Sequence, residues 1–210
     1  MPILVVSVND GDLLETNRFS YKVLDNTFGA DKFTMVTNSD GTGSLKVAKP
    51  LDYEDLQQRY GFNVTISVSD HGGESADPYH VDYAKVNVRL RDINDNKPEF
   101  EKPNIEVTVL EDSRIGTSLA KFHATDADQG GKSKVSYMID RASDKKRQFQ
   151  IDQNGVVRIQ RTLDREDIPR HQVKILAVDD GVPPRTATAT LTVVVGDIND
   201  NAPRFLKDYR

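Results

Sequence analysis

Acidic residues in this chain gather in three kinds of short cluster, and each kind occurs twice. An Asp-x-Asp pair stands early in each half, a Leu-Asp-x-Glu segment lies near the middle, and an Asp-Ile-Asn-Asp-Asn run closes each half. Two carboxylates about 6 Å apart repel by about 3 kcal/mol at an effective dielectric constant of about 20. Several carboxylates can share one site only if they are protonated or bound to cations. The clusters therefore predict cation binding.

The ligand types available in the sequence select the kind of cation. The 210 residues contain no Cys and only four scattered His, so thiolate ligation is excluded and a histidine cluster is not indicated. Carboxylates, backbone carbonyls and the neutral amide oxygens of Asn are ligands for hard cations. A crowded, irregular set of oxygens suits calcium better than the octahedral coordination that magnesium requires. Calcium is therefore the predicted ion.

Other classes of function find no support in the composition. The formal net charge of −5 argues against nucleic-acid binding, which needs a basic surface. No apolar run approaches the roughly 20 residues of a membrane-spanning helix. No Gly-x-Ser-x-Gly nucleophile motif is present. The acidic pairs recur in both halves, which favours a structural role over catalysis, and we predict that the chain is not an enzyme.

The acidic clusters belong to an internal repeat. The segment DINDNKPEF at 92–100 returns as DINDNAPRF at 197–205, an offset of 105 residues. Earlier matches, from the Asp-x-Asp pairs onward, follow the same order at offsets that begin at 116, so the copies differ by a few changes in loop length. We therefore predict a first domain at 1–98, a second at 99–203 and the start of a further repeat at 204–210.

The segments between the clusters have the pattern of β-strands. Stretches such as 62–68, 173–178 and 189–195 are rich in β-branched residues and mostly alternate with a period of two. Turn sequences such as Asn154-Gly155 separate them. The pattern predicts two antiparallel β-sandwiches in tandem.

The second copy carries a segment that has no counterpart in the first. Pro2 aligns with Ser118, so the segment 100–117, including the alternating stretch 105–110 and Glu111, is unmatched. We expect the first sandwich to lack its N-terminal strand and the chain to be a piece of a longer protein. Exposed main-chain groups at that edge should make the first domain less stable or lead it to borrow a strand.

The ordered set of Asp-x-Asp, Leu-Asp-x-Glu and Asp-x-Asn-Asp-Asn-x-Pro-x-Phe, found twice across the whole chain, resembles the extracellular repeat of the cadherins. The resemblance implies a Greek-key, immunoglobulin-like sandwich of about seven strands per repeat. It also implies calcium bound in the linker between repeats and a place in the cell-surface ectodomain of a single-pass membrane protein.

The resemblance assigns ligands motif by motif. The inter-repeat calcium site would use Asp52, Glu54, Asp92, Asn94, Asp95, Asn96, Asp126, Asp128, Lys132 and Asp179. In this set Lys132 would act through its backbone carbonyl, as would Asn96. Two terminal half-sites would comprise Asp10, Asp12 and Asp70, and Glu111, Asp164, Glu166, Asp197, Asn199, Asp200 and Asn201. Because the first copy lacks a partner for Glu111, we expect the linker site to have one carboxylate fewer than an intact repeat would supply.

The function implied by the resemblance is calcium-dependent cell–cell adhesion or recognition, with other cadherin ectodomains as homophilic or heterophilic partners. The chain has no Trp to anchor a swapped N-terminal strand, so we do not expect it to be an adhesive tip. The alternative is a calcium-stabilised accessory or carbohydrate-binding module of a secreted enzyme. That alternative needs exposed aromatic residues, whereas Tyr21, Phe33, Tyr137 and Phe149 recur at core-like positions.

One modification motif is present. Asn63-Val64-Thr65 is an acceptor sequence for N-glycosylation. It lies within a predicted strand, so glycosylation requires Asn63 to point outward while Val64 and Ile66 face the core.

Overall fold

A computed structural model of the chain describes residues 1–11, 19–70, 80–128 and 134–203. The chain divides into two compact units, Met1–Asp92 and Ile93–Arg210. Among the described residues the only helical turn is the 3₁₀ segment Ala30–Lys32, and no helix there has the length and apolar character needed to cross a membrane. The all-β prediction is confirmed. The predicted start of a further repeat at 204–210 lies outside the described residues.

The first unit forms two sheets from the strands in its described part. These strands are β1 Leu4–Val6, β2 Phe19–Val23, β3 Phe33–Thr37, β4 Gly43–Val47, β5 Phe62–Asp70 and β6 Val81–Val88. One sheet has the order β1-β4-β3 and the other β2-β5-β6, and every pair is antiparallel. The period of two in β5 turns Phe62, Val64 and Ile66 inward, where they pack with Phe33 and Leu45.

The second unit repeats this arrangement and adds to it. Its described strands are β7 Glu99–Phe100, β8 Asn104–Leu110, β9 Ser118–Lys121, β10 Ala124–Thr125, β11 Ser136–Ile139, β12 Phe149–Ile151, β13 Val156–Ile159, β14 Arg170–Val178 and β15 Thr186–Gly196. The sheets have the orders β12-β13-β9 and β11-β14-β15-β8, and β7 pairs with β10. Strand β8 runs parallel to β15. In the described part of the first unit no strand takes the place of β8, as the sequence predicted.

The cores consist of the side chains on alternate positions of the long strands. In β15, Leu191, Val193 and Val195 are at most 3% exposed. Each such side chain stabilises the fold by about 1.5–3 kcal/mol through removal from water. The matched aromatic residues also contribute to the cores: Tyr21, Phe33 and Phe149 are buried and Tyr137 is half-buried. These rings are therefore not available as an exposed sugar-binding platform.

The matched tyrosines, Tyr21 in the first unit and Tyr137 in the second, each form a hydrogen bond through the hydroxyl group within their own unit. The Tyr21 hydroxyl donates to the carbonyl oxygen of Gly41 at 2.8 Å. The Tyr137 hydroxyl accepts the backbone N–H of Ala124 at 2.7 Å. A buried hydroxyl without a partner would be costly, so these bonds let a polar group reside at the edge of each core.

A histidine also occupies a core position of the second unit. His171 points inward from β14, is 8% exposed, and packs edge-on against Phe149 with ring centroids 5.1 Å apart. Its Nε2 atom is buried and has no hydrogen-bond partner among the described residues. Burial lowers the pKa of His171, and Lys146 lowers it further, against the opposing effect of the Asp144 and Asp167 carboxylates. At neutral pH the folded protein therefore holds the imidazole ring of His171 in its uncharged form.

The position of His171 predicts acid sensitivity of the second unit. The unfolded chain has an ordinary His pKa near 6.5, so it takes up a proton at a higher pH than the folded chain does. The stability that neutral His171 contributes is thus complete above about pH 6.5 and is lost as the pH falls further. Thermal unfolding in calcium-free buffer should show the melting temperature of the wild type falling more steeply with acid than that of His171→Leu.

His123→Leu is the matched control, because the His123 side chain is 56% exposed. It should keep the acid dependence of the wild type. Parallel curves for the wild type and His171→Leu would contradict the prediction.

Candidate calcium-binding residues

The Asp-x-Asp pair of the second unit lies where a short strand ends. Strand β10 ends at Thr125, and the two carboxylates follow in a turn in which the backbone N–H of Asp128 donates to Asp126 Oδ1 at 2.9 Å. Asp128 is only 2% exposed. A charged group is rarely buried so deeply without compensation, which makes this turn a candidate for ion binding.

A third carboxylate stands at the end of β14. Asp179 is 5% exposed and accepts backbone N–H groups from Gly181 at 2.9 Å and Arg185 at 3.0 Å. The side-chain amide of Asn94 lies 3.3 Å from both of its oxygens. The turn after β14 thus fixes the orientation of this carboxylate before any ion binds.

The linker sequence lies against the same carboxylates. Asn96 donates to Asp128 through its backbone N–H at 3.2 Å and through its side-chain amide at 2.7 Å. The backbone N–H of Asp95 bonds to the carbonyl of Ile93 at 2.9 Å. The second linker motif makes the corresponding bond from Asp200 to Ile198 at 3.0 Å, so both copies adopt the same local turn.

The second unit therefore brings together five of the predicted ligands. They are Asn94, Asn96, Asp126, Asp128 and Asp179. In the described part of the chain, no Lys or Arg forms an ion pair with these three carboxylates.

Burial raises the pKa of Asp126, and the negative charges of Asp128, Asp179 and Asp180 raise it further, while the N–H of Asp128 lowers it. Within the described residues, Asp126 Oδ2 and Asn94 Oδ1 are buried without a hydrogen-bond partner. Two unsatisfied oxygens within an uncompensated acidic group fit an oxygen-liganded cation such as calcium.

The first unit contributes its own acidic group. The backbone N–H of Glu54 donates to Asp52 Oδ1 at 2.9 Å, in a turn closed by Gln58, whose Oε1 accepts the backbone N–H of Asp52 at 3.2 Å. One carboxylate oxygen of Glu54 and one of Asp92 lie within 4.8 Å of each other. The Leu-Asp-x-Glu segment and the closing Asp run, distant in sequence, therefore converge within this unit.

The matching acidic group of the second unit contains three carboxylates. Carboxylate oxygens of Glu111, Glu166 and Asp197 lie within 4.8 Å of one another. The backbone N–H groups of Arg165 and Ile198 donate to Glu111 at 2.8 and 2.9 Å and hold its pKa below the usual value. Glu111, at the end of β8, thus joins a cluster for which the described part of the first unit has no equivalent member.

The remaining predicted residues have varied surroundings. Asp70 accepts the backbone N–H of His80 at 2.6 Å, and Asp164 accepts that of Asp167 at 3.1 Å. Asp10 is half-buried and Asn199 is exposed. Asn201 donates to Asp200 at 2.7 Å. Asp12 and Lys132 lie outside the described residues.

Two arginines near these clusters were missed by the sequence analysis. Arg185 donates from Nε to the backbone carbonyl of Asn94 at 2.8 Å, in addition to the bond from its N–H to Asp179. Arg165 lies 3.6 Å from Glu166 and 3.4 Å from Asp197. The sequence signal that could have found them was their position. Arg185 directly follows the Gly-Val-Pro-Pro turn, and Arg165 lies between the Asp and the Glu of the second Asp-x-Glu pair.

Fold and site together define a pair of β-sandwich modules with oxygen-rich clusters at their strand ends. A family model, the Cadherin domain, matches residues 105–196. The Neural-cadherin of Drosophila melanogaster is 68% identical over 212 residues, which cover 100% of this chain and 7% of that protein. Putative neural-cadherin 2 of the same species is 59% identical over 213 residues, covering 100% of this chain and 12% of that protein.

A solved structure agrees with these relatives. The crystal structure of mouse Cadherin-23 EC22-24 superposes with a TM-score of 0.73 at 28% sequence identity, covering 98% of this chain and 62% of that one. This chain belongs to the cadherin family. It spans only a small part of the length of the curated relatives that it matches.

The charge distribution around Asp126 predicts an effect of mutation in the absence of metal. Asp126→Asn removes one negative charge from a group for which the described residues provide no counterion, so the calcium-free second unit should become more stable. Thermal unfolding in a calcium chelator should show a higher melting temperature than the wild type. Glu99→Gln, at an exposed position of β7, makes the same change of charge and should leave the melting temperature unchanged. Destabilisation by Asp126→Asn would show that the charge around Asp126 is already compensated.

Proposed function

We propose that this chain is a segment of a calcium-dependent cell–cell adhesion or recognition protein, in which calcium ions bind where successive repeats join and stiffen the ectodomain. The observation that carries the proposal is the acidic group of Asp126, Asp128 and Asp179 with the unsatisfied oxygens of Asp126 and Asn94. Membership of the cadherin family supports it.

The geometry of a single unit supports sharing of ligands between repeats. In the second unit Glu166 precedes β14 and Asp179 follows it. Nine residues of strand span roughly 30 Å, so these two acidic groups stand at opposite ends of the same sandwich. Neither group can complete its coordination with the other, and a neighbouring repeat is the natural source of the missing ligands.

The proposed ligand set follows from this arrangement. The first repeat supplies Asp52, Glu54 and Asp92, and the second supplies Asn94, Asp95, Asn96, Asp126, Asp128 and Asp179. Lys132 contributes its backbone carbonyl.

Calcium acts structurally in this proposal. Binding neutralises carboxylates that otherwise repel one another and removes freedom of motion at the linker. Extracellular calcium modules bind with dissociation constants of about 0.1–1 mM, so the stiffness of the linker follows the calcium concentration outside the cell.

The partners and location are proposed on the same basis. We assign the chain to the extracellular part of a membrane-anchored protein, whose partners are other cadherin ectodomains, of the same or a different kind. The family match does not favour the alternative of an accessory or carbohydrate-binding module.

Calcium titration tests the proposal. Calcium in the millimolar range should raise the melting temperature of the chain, and small-angle scattering should show a narrower distribution of conformations than in chelator. Asp126→Asn should abolish most of both effects and weaken binding by isothermal calorimetry roughly tenfold or more, because one ligand carboxylate is lost. Glu99→Gln should respond to calcium as the wild type does. A full calcium response in Asp126→Asn would refute the ligand assignment, and no response in the wild type would refute the proposed function.

We also propose that Asn63 carries an N-linked glycan. Asn63 lies on the exposed face of β5 between the buried Phe62 and Val64, as the sequence required. Its Oδ1 accepts a bond from the side chain of Asn87 at 2.9 Å, so this contact engages the amide oxygen and not the nitrogen to which a glycan attaches.

Expression in a secreting eukaryotic cell tests this assignment. Mass spectrometry should show a glycan on the peptide that contains Asn63, removable by an amide-cleaving glycosidase and absent from Asn63→Gln. Asn87→Gln, the cross-strand neighbour, should retain the glycan. An unmodified Asn63 in secreted protein would contradict the assignment.

A further inference from the structure

The second unit carries a run of basic residues that the acidic clusters do not involve. Lys145, Lys146 and Arg147 stand in the loop between β11 and β12, and all three are exposed. The chain as a whole is acidic, with a formal net charge of −5. A concentrated patch of the opposite sign attracts negatively charged ligands to this part of the surface.

Hydrogen bonds to a buried carboxylate define the shape of this loop. Asp144 is 5% exposed and accepts the backbone N–H of Gln148 at 2.8 Å. The backbone N–H of Arg147 donates to the carbonyl of Asp144 at 3.1 Å, which closes a turn with Lys145 and Lys146 at its tip. The loop therefore presents its basic side chains to solvent from an ordered backbone.

A fourth basic side chain reaches the same loop from another segment. Arg161 follows β13 and donates from Nη1 to the backbone carbonyl of Lys146 at 3.1 Å. The backbone N–H groups of Gln160 and Arg161 both donate to the carbonyl of Gln148, at 2.7 and 3.3 Å. Two segments of the chain, 145–148 and 160–161, thus lie side by side and form one basic surface.

The internal repeat shows that this charge is specific to the second unit. At the offset of 116 between the two halves, Arg147 matches Asp31, and at the offset of 112 that follows it, Arg161 matches Lys49. In the first unit the two matched residues form an ion pair, with Lys49 Nζ 2.7 Å from Asp31 Oδ2. The second unit has arginine at both positions, so an ion pair is replaced by two like charges.

The backbone confirms that these positions correspond. In the first unit the N–H groups of Ala48 and Lys49 both donate to the carbonyl of Lys32, at 2.7 and 3.3 Å. Gln160 and Arg161 make the same pair of bonds to Gln148 in the second unit. The difference between the units therefore lies in the charges of the side chains and not in the path of these two segments.

The positive charge of the basic surface is only partly compensated. Lys146 forms an ion pair with Asp167. Among the described residues, no carboxylate forms an ion pair with Lys145, Arg147 or Arg161. Neighbouring like charges repel, so the fold itself gains nothing from this arrangement.

The backbone of Arg147 is strained as well. Its φ of 55° lies in the left-handed region, and it is the one non-glycine residue with a positive φ in the described part of the chain. A residue with a β-carbon adopts that conformation at an energetic cost, whereas glycine does not. Fold stability alone would favour glycine here, and strain of this kind is typical of functional sites.

We propose that Lys145, Arg147 and Arg161 form a binding site for a sulfated polysaccharide of the glycosaminoglycan class. Each guanidinium can donate two parallel N–H groups to the oxygens of one sulfate. The exposed cations would hold a single small anion weakly, but a polymer with repeated charges contacts several of them at once. An acidic protein segment would also need an apolar anchor, and this surface consists of charged side chains. The choice of this polymer rests on the extracellular location proposed above.

Fluorescence polarisation with labelled, size-fractionated heparin tests the site in buffer that contains a calcium chelator. The chain should bind heparin with an affinity that falls steeply as salt is added. Arg147→Gln and Arg161→Gln should each weaken binding by roughly fivefold, and the double variant by roughly tenfold or more. Lys49→Gln is the matched control, because Lys49 occupies the position of Arg161 but is already paired with Asp31. It should bind heparin as the wild type does.

Arg147→Gly separates binding from folding. Glycine adopts the left-handed conformation without the cost that arginine incurs, so the melting temperature of this variant should equal or exceed that of the wild type. Its heparin affinity should nevertheless fall as far as that of Arg147→Gln. Loss of stability with unchanged heparin affinity would show that Arg147 has only a structural role.

Three further results would overturn the proposal. Wild-type affinity in the variant that carries both Arg147→Gln and Arg161→Gln would place heparin binding elsewhere. Equally tight binding of hyaluronan, which has carboxylates but no sulfate, would exclude recognition of sulfate. Equally tight binding of poly-glutamate would identify an acidic protein segment as the ligand. Because these measurements are made without calcium, their failure would leave the calcium titration unaffected, and a failed calcium titration would leave this site standing.

Discussion

Negative charge concentrated at the ends of strands is the constraint on which the arrangement of both units depends. The ends of β8 and β15 place Glu111 and Asp197 together, and the ends of β10 and β14 do the same for Asp126 and Asp179, so the resulting repulsion must be offset. The protein uses backbone N–H groups for Glu111 and Asp179 and a guanidinium, that of Arg165, for the cluster near Asp197. Around Asp126, burial and the neighbouring carboxylates raise the pKa despite the hydrogen bond from the N–H of Asp128. A bound cation would offset that repulsion and favour the ionised form.

The hydrogen bonds around these carboxylates determine what a cation would meet. Asn94 and Asn96 each direct an amide N–H toward a carboxylate, which leaves their neutral oxygens as further candidate ligands. Arg185 ties the linker backbone to the turn after β14 without forming an ion pair with Asp179 in the described structure. Positive charge therefore orients the linker while remaining outside the acidic group. This division keeps the carboxylates available for a metal ion.

Much of the fold and most of the acidic clusters could be predicted from sequence because both depend on short-range patterns. The period of two fixes which side chains of β5 and β14 face inward, and the internal repeat shows which clusters belong together. The two-residue strands β7 and β10 could not be predicted, since their pairing is too short to leave a pattern. The roles of Arg165 and Arg185 depend on the path of a turn, which no spacing encodes.

The repeat provides an internal control for what a neighbouring strand contributes. Val88 and Val193 have the same side chain and the same place in matching strands, yet only Val193 is fully buried. The difference is the strand on the far side, because β8 covers β15 and no described strand covers β6. Local sequence thus determines the direction in which a side chain points, but the depth of its burial depends on a segment distant along the chain, as β8 is from β15. The same reasoning holds for the acidic groups, since the carboxylates at either end of β14 are too far apart to complete one another. In the second unit the edge of β15 is thus completed by β8 from within the unit, whereas the acidic groups at its two ends each need a further source of ligands.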